Sequence, residues 1–309
     1  MGKKVWLTLA LVAMAALAAG CFGAAQQPRW PSDAQQVLEQ TPVISVYRVD
    51  TKEVERMDIE EYVQGVLAGE MRSDWPMEAL KAQAILARTF VVKFINEKTS
   101  KYPGADISTD IHEAQAYDAE AINERIKRAV EETRGMVITH DGQFPYAWFH
   151  AHAGGITELA RTGLDFKGEE PGYTQSVASG DSELAPSSVK QWTAEFGREE
   201  VAGAANVKTL ETIEIGERSA SGRAVTLLIN GQPFSAPELR IRLGGTKLKS
   251  ALLSSVRMED DMVIFEGSGY GHGVGMSQWG AYDMAMSGAD ARSIIAHYFA
   301  GIDYEKLWA

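Results

Sequence analysis

Glu70 stands at the end of an apolar helical pattern, in the run Val66-Leu67-Ala68-Gly69-Glu70-Met71. A carboxyl there would be partly desolvated and would face the negative end of a helix dipole; both effects favour its neutral form. A carboxyl kept protonated near neutral pH is what cleavage of a glycosidic bond asks of its general acid. The plainer reading of the same spacing is a solvated glutamate in a C-terminal helical turn. Arg88 sits mid-helix among Ala84, Ile85, Ala87 and Val91. It is suited either to clamp a substrate carboxylate or to make an interhelical ion pair. Contact with Glu70 would favour the ionised acid, so a catalytic Glu70 needs Arg88 aimed at substrate.

His150 and His152 alternate on a strand-like stretch and precede Gly154-Gly155. Paired histidines on one strand face can bind zinc, with His112 as a third ligand. Without cysteines nearby or a helical His-Glu motif, the favoured reading has no metal and no cofactor, and His150 orients substrate or a carboxylate by hydrogen bonding. The segment from Gly267 to Gly280 reads Gly-Ser-Gly-Tyr-Gly-His-Gly-Val-Gly-Met-Ser-Gln-Trp-Gly. Its alternating glycines allow positive φ and close backbone approach to a ligand, or serve a purely structural loop. No Gly-Lys-Ser/Thr follows, and the dinucleotide spacing is absent. His272, Ser277, Gln278 and Trp279 offer hydrogen-bonding and stacking groups suited to a sugar. Ser277 with His272 as base would make a nucleophile pair, but the Gly-x-Ser-x-Gly elbow is missing.

These residues need elements to position them. Val43 to Val49 alternates like a strand, and Asp58 with Glu61 reads as a capping box for a helix whose apolar stripe is Ile59, Tyr62, Val63, Val66 and Leu67. Pro76 opens a second helix to about Asn96, and a third is expected over Ala119 to Thr133. Met136 to His140, an Asp141-Gly142 turn and Pro145 to His152 read as a hairpin. Residues 160–190 read as a long irregular excursion. Strands broken at Ser221-Gly222 and Asn230-Gly231, a short helix over Pro237 to Leu243, and a strand pair meeting near Asp260-Asp261 follow. Two helices close the chain, the second capped by Asp290 and ended by Gly301. The expected class is α+β, with helices near both ends packed around antiparallel strands.

The chain has 309 residues, 42 Asp plus Glu against 30 Lys plus Arg, and a net charge of −12. So acidic a protein has no sequence-wide attraction to nucleic acid or anionic lipid, whereas a glycan made mostly of hydroxyls remains compatible. The N-terminus begins Met-Gly-Lys-Lys, followed by an apolar run from Val5 to Ala19 and Gly20-Cys21. That run has signal-peptide length and falls short of the roughly 20 apolar residues of a spanning helix. The junction resembles a bacterial lipoprotein signal, with Cys21, the single cysteine, as the lipidated residue; the plainer alternatives are an ordinary cleaved signal or an uncleaved N-terminal anchor. Its departure is Ala18 three places before the cysteine, where such signals usually carry Leu. Expected boundaries are a signal over 1–20, a tether over 21–42, and a domain over 43–307 that is either single or two closely packed subdomains.

Three stretches then resemble one family, that of the stage II sporulation protein D. They are Val66 to Glu70 with its continuation to Ala87-Arg88-Thr89; Phe149-His150 with Gly154-Gly155 and Thr157-Glu158; and Gly271-His272-Gly273-Val274-Gly275-Met276-Ser277-Gln278. The resemblance implies a peptidoglycan lytic transglycosylase acting on glycan strands stripped of stem peptides. It implies Glu70 as acid and then base, and Arg88, Gln115, Tyr117, His150, His272, Ser277 and Gln278 as substrate-positioning candidates. It also implies a cell-wall amidase as partner, whereas the expected extracytoplasmic place, anchored at the membrane through an N-terminal lipid, rests on the lipoprotein-like junction at Cys21. The rival reading from the same family is a non-catalytic glycan-binding enhancer of such an amidase. Two departures stand out. His152 replaces what is more often a small polar residue, and the cysteines that some members carry near the position of His112 are missing. The family's sporulation protein begins with an uncleaved transmembrane segment, so a sporulation role does not follow.

Overall fold

A computed structural model describes residues 37–309. The signal-like segment, Cys21 and most of the tether lie outside the described residues. The described chain forms two compact units, residues up to Ala147 with Gly301–Ala309, and Trp148–Ala300. Among the described residues no helix is long and apolar enough to cross a membrane.

In the first unit, strands β1 (Val43–Tyr47) and β2 (Val54–Asp58) pair antiparallel, and the chain enters helix α1 (Ile59–Glu70) directly. Asp58 caps α1 by accepting from the Glu60 N–H at 2.7 Å. All five residues of the expected apolar stripe are fully buried. Helix α2 (Met77–Glu97) follows, with Pro76 as its N-cap. Strand β3 (Ile107–Ser108) then joins β1 in parallel, giving the order β2-β1-β3. The third helix, α3 (Glu124–Glu132), starts later than its pattern suggested. Asp118 takes the Glu120 and Ala121 N–H groups into a turn, and Asn123 takes those of Arg125 and Ile126 as the true cap. The expected hairpin also differs. His140 and Gln143 close a turn in which Asp141 and Gly142 have φ of 50° and 68°, but the ladder ends there. Strand β4 (Met136–Thr139) instead pairs antiparallel with the C-terminal strand Asp303–Lys306.

The second unit begins with the short strand β5 (Phe149–His150). The excursion over 160–190 carries two single-turn helices, α4 (Ala160–Gly163) and α5 (Ser187–Lys190), and is tied down by a carboxylate. Glu170 accepts from the N–H groups of Ala160 and Arg161 and from the Thr174 hydroxyl. Then come β6 (Trp192–Gly197), α6 (Arg198–Ala204), and a meander of β7 (Ile213–Ile215), β8 (Thr226–Ile229) and β9 (Gln232–Ser235). Pro233 is tolerated because β9 lies at the sheet edge. Helix α7 (Ala236–Arg242) leads to β10 (Leu253–Glu259) and β11 (Met262–Gly267), which form the sheet β10-β11-β6. Both sheets share one core that includes Phe196, Leu227, Leu239, Val263 and Phe265. Strand β12 (Met276–Ser277) pairs in parallel with β5, and helices α8 (Gln278–Met286) and α9 (Ala291–Tyr298) follow, α9 capped by Asp290 as expected. The class is α+β. Helices α6 and α7 interrupt the strands mid-chain, and two short ladders are parallel.

Candidate functional site

Glu70 closes α1 and is 8% exposed. Its Oε1 accepts the Ala116 backbone N–H at 2.8 Å. The segment carrying that donor also holds Gln115 and Tyr117, so three sequence-selected residues meet at one end of α1. Gln115 is buried; its amide donates weakly to the Ala87 carbonyl at 3.4 Å, which leaves Oε1 inside the protein without a hydrogen-bond partner. Tyr117 is half-buried, with its ring against Gly65 and 5.5 Å from the Tyr62 ring. The Arg48 guanidinium lies 5.3 Å from the same ring. Burial raises the affinity of the Tyr117 phenol for its proton, so it is a neutral donor at pH 7.

Arg88 does not join this cluster as a clamp. It is fully buried and paired with Glu60, the second residue of α1, with Nη2 to Oε2 at 2.6 Å and Nε to Oε1 at 3.0 Å. Nη1 donates to the Met136 carbonyl at 3.0 Å. Glu60 Oε1 also accepts from the Gly135 N–H at 2.9 Å and the Trp308 indole at 2.7 Å. This network ties α1, α2, the start of β4 and the C-terminus together. Of the two sequence readings, the interhelical ion pair is the one present; a substrate-clamping Arg88 is corrected on that ground.

In the second unit His150 and His272 come together, their ring centroids 5.6 Å apart. One residue fixes both tautomers. His150 Nδ1–H donates to the Val274 carbonyl at 3.1 Å, whereas His272 Nδ1 accepts the Val274 N–H at 3.0 Å. The proton of neutral His272 therefore sits on Nε2, and the bare lone pair of His150 is on Nε2. Burial pushes the His150 imidazole down to about 3 and the His272 imidazole well below its ordinary value, with Arg223 and Arg240 adding repulsion. Both rings are neutral at pH 7. His150 Nε2 is buried without a hydrogen-bond partner.

The glycine-rich segment makes its close approaches to its own chain. At Gly275, with φ 70°, a Cβ would lie 2.1 Å from the Trp148 carbonyl oxygen. At Gly273, with φ 86°, it would lie 2.5 Å from the Arg223 guanidinium. Arg223 is buried, donates to the Ala153 and Ile156 carbonyls, and keeps its charge although burial pulls it down to about 10. Glu158, also buried, accepts from the hydroxyls of Ser219 and Ser221. Ser277 is fully buried. Its hydroxyl caps α8 through the Gly280 N–H at 3.2 Å and donates to Asp181 at 2.6 Å. That geometry makes Ser277 a structural cap with no exposed oxygen for nucleophilic attack. Gln278 is buried in the first turn of α8.

His152 Nδ1 accepts the Gly154 N–H at 3.0 Å, and Asp181 Oδ2 stands 3.4 Å away. With that lone pair already used and burial lowering its affinity for a proton, His152 is neutral and makes no ion pair. His112 is exposed in the first unit. Among the described residues no group of three or more His, Cys, Asp or Glu side chains is placed to hold a metal ion. Sequence reading missed Glu60, Asp181 and Arg223. Glu60 had only its helical position to mark it, and the other two lie in turn-rich stretches without pattern.

Comparison with known proteins supplies the family. A family model described as "Stage II sporulation protein" matches residues 47–140, and a domain of unknown function, DUF8618, matches 181–275. An uncharacterised protein of Brachyspira hyodysenteriae is 33% identical over 81% of this chain and 67% of its own length. The stage II sporulation protein D of Bacillus subtilis is 31% identical, covering 87% of this chain and 81% of that protein. The amidase enhancer of Bacillus subtilis is 27% identical over 77% of this chain and 39% of that protein. The relatedness extends over most of both chains in the sporulation proteins, and the chain belongs to the stage II sporulation protein D family.

Proposed function

We propose that this cell-wall protein is an extracytoplasmic lytic transglycosylase, with Glu70 as acid and then base. The observation that carries the reading is Glu70 itself. It is a nearly buried carboxyl at a helix C-terminus that accepts the Ala116 backbone N–H, and it lies beside the segment carrying Gln115 and Tyr117. Glu70 donates its proton to the glycosidic oxygen as the bond from the muramic acid C1 breaks, releasing the N-acetylglucosamine alcohol. The muramic acid 6-hydroxyl closes on C1, and the Glu70 carboxylate takes the proton it releases. The product is a 1,6-anhydromuramic end, and the enzyme is restored without water or a second carboxylate. A two-carboxylate hydrolase would instead need a partner acid. Tyr117 and Gln115 serve to place the sugar next to Glu70. In the second unit, His150, His272 and Gln278 are separate candidates for glycan binding, and Ser277 is left to its capping role. No metal or cofactor enters the scheme.

The reading also places the mature chain outside the cytoplasmic membrane, tethered through a lipid on Cys21. Its partners are glycan strands and an amidase that removes stem peptides. The second reading, a non-catalytic glycan-binding enhancer of an amidase, is favoured by the 27% identity to the amidase enhancer. Incubation of the protein with denuded and with peptide-bearing glycan strands, followed by mass spectrometry, separates the two. Anhydromuramic ends from denuded strands support the transglycosylase. Reducing ends or intact strands contradict it, and intact strands with faster amidase turnover establish the enhancer.

A further inference from the structure

Gly65 and Gly69 lie four residues apart on α1 and face the 115–118 segment, whose Ala116 N–H bonds the Glu70 carboxyl. A Cβ on Gly65 would stand 2.2 Å from Tyr117 Cε2, and one on Gly69 would stand 2.7 Å from Tyr117 N and 2.8 Å from the Ala116 carbonyl carbon. Those distances exclude a side chain at either position unless something shifts. Glycine weakens a helix interior by adding backbone freedom, so α1 carries a local cost at two positions. In return the Ala116–Tyr117 peptide rests on the helix surface itself. Asp118 N–H donates to the Gly65 carbonyl at 2.9 Å, and Ala116 N–H donates to Glu70 Oε1 at 2.8 Å.

We propose that Gly65 and Gly69 are positioning residues for the acid/base. They set the height of the 115–118 segment above α1, and with it the bond from Ala116 to the Glu70 carboxyl. The inference rests on the reading of Glu70 as acid/base. An N–H aimed at a carboxyl oxygen favours the ionised form and fixes the plane in which the proton is carried. Raising the segment weakens that bond and leaves the carboxyl more basic and less well oriented. The two positions differ in what they meet. Gly69 meets backbone, which cannot swing aside, whereas Gly65 meets the Tyr117 ring, which a second substitution can remove.

The experiment is a pH titration of the Glu70 carboxyl by 13C NMR in the parent, Gly69→Ala, Gly65→Ala, Gly65→Ala with Tyr117→Ala, and Gly203→Ala. Gly203 lies in α6, where a Cβ would meet open space. Loss of most of one charge-assisted hydrogen bond corresponds to an upward shift of about one pH unit. That shift is expected for Gly69→Ala, together with the same displacement of the basic limb of kcat/KM on denuded glycan. Gly203→Ala should match the parent. Where Gly69→Ala fails to fold, the Gly65 pair carries the test: the single substitution shifts the titration and Tyr117→Ala returns it towards the parent. A folded Gly69→Ala or Gly65→Ala protein with a parental titration overturns the proposal. The NMR reading needs no turnover, so it stands apart from the acid/base reading, which fails separately if Glu70→Gln keeps full activity.

Discussion

Replacing Arg88 by Met tests whether that residue belongs to the frame or to the substrate. The guanidinium makes its shortest bonds to Glu60, at 2.6 and 3.0 Å, and one to the Met136 carbonyl at 3.0 Å, all inside the protein. Removing it leaves the Glu60 carboxylate buried with only the Gly135 N–H and the Trp308 indole to solvate it. Breaking one side of a buried ion pair costs about 3–5 kcal/mol. For a chain of this size each kcal/mol lowers Tm by roughly 2–4 °C, so a fall of about 6–20 °C is expected. Arg88→Lys keeps the charge but loses the planar fork, and should lie between the parent and Arg88→Met. The assay is thermal denaturation by circular dichroism, with glycan affinity measured well below the transition. Affinity per folded molecule should stay at the parental value. A variant with unchanged Tm and weakened glycan binding would refute the reasoning and return Arg88 to the substrate.

Two further outcomes follow from the second unit. His150 takes its proton near about 3 in the folded protein, whereas an unfolded histidine takes it near 6.5. The unfolded chain therefore binds more protons between those values, so this contribution is whole above about pH 6.5 and is lost as pH falls towards 3. At pH 5 the loss is about 2 kcal/mol for His150, and His272 acts in the same direction. Urea denaturation at pH 7.5 and 5 should show the difference shrinking in His150→Gln; an unchanged difference would contradict the neutral pair. Ser277→Ala removes the cap of α8 and a donor to Asp181, costing about 1–3 kcal/mol. Activity per folded molecule should remain near the parental level, and its abolition would revive Ser277 as a nucleophile.

Local features of the fold could be read from the sequence because they are encoded within a turn or two. The α1 stripe, the caps at Asp58 and Asp290, and the Asn230-Gly231 turn all depend on neighbours in the chain. The pairing of Met136–Thr139 with Asp303–Lys306 has no such local code, and a hairpin to the next segment was the simpler expectation. The candidate site divides in the same way. Glu70 was marked by its place at the end of an apolar helix, and Gln115 and Tyr117 by their resemblance to family motifs. The role of Arg88 was open from spacing alone, because only the folded chain brings Glu60, Gly135 and Trp308 around it. Val274 could not have been singled out, since an apolar side chain says nothing about a backbone that fixes two histidine tautomers.

The most direct measurement compares the parent protein with Glu70→Gln on denuded glycan strands, following both product release and binding. Glutamine keeps the shape and an acceptor oxygen for Ala116 but cannot deliver and recover a proton. Release of 1,6-anhydromuramic ends by the parent, a loss of at least about a hundredfold in kcat for Glu70→Gln, and little change in affinity are the expected results. Equal turnover by both proteins would remove Glu70 from the chemistry, and strand binding without cleavage by the parent itself would contradict the transglycosylase altogether.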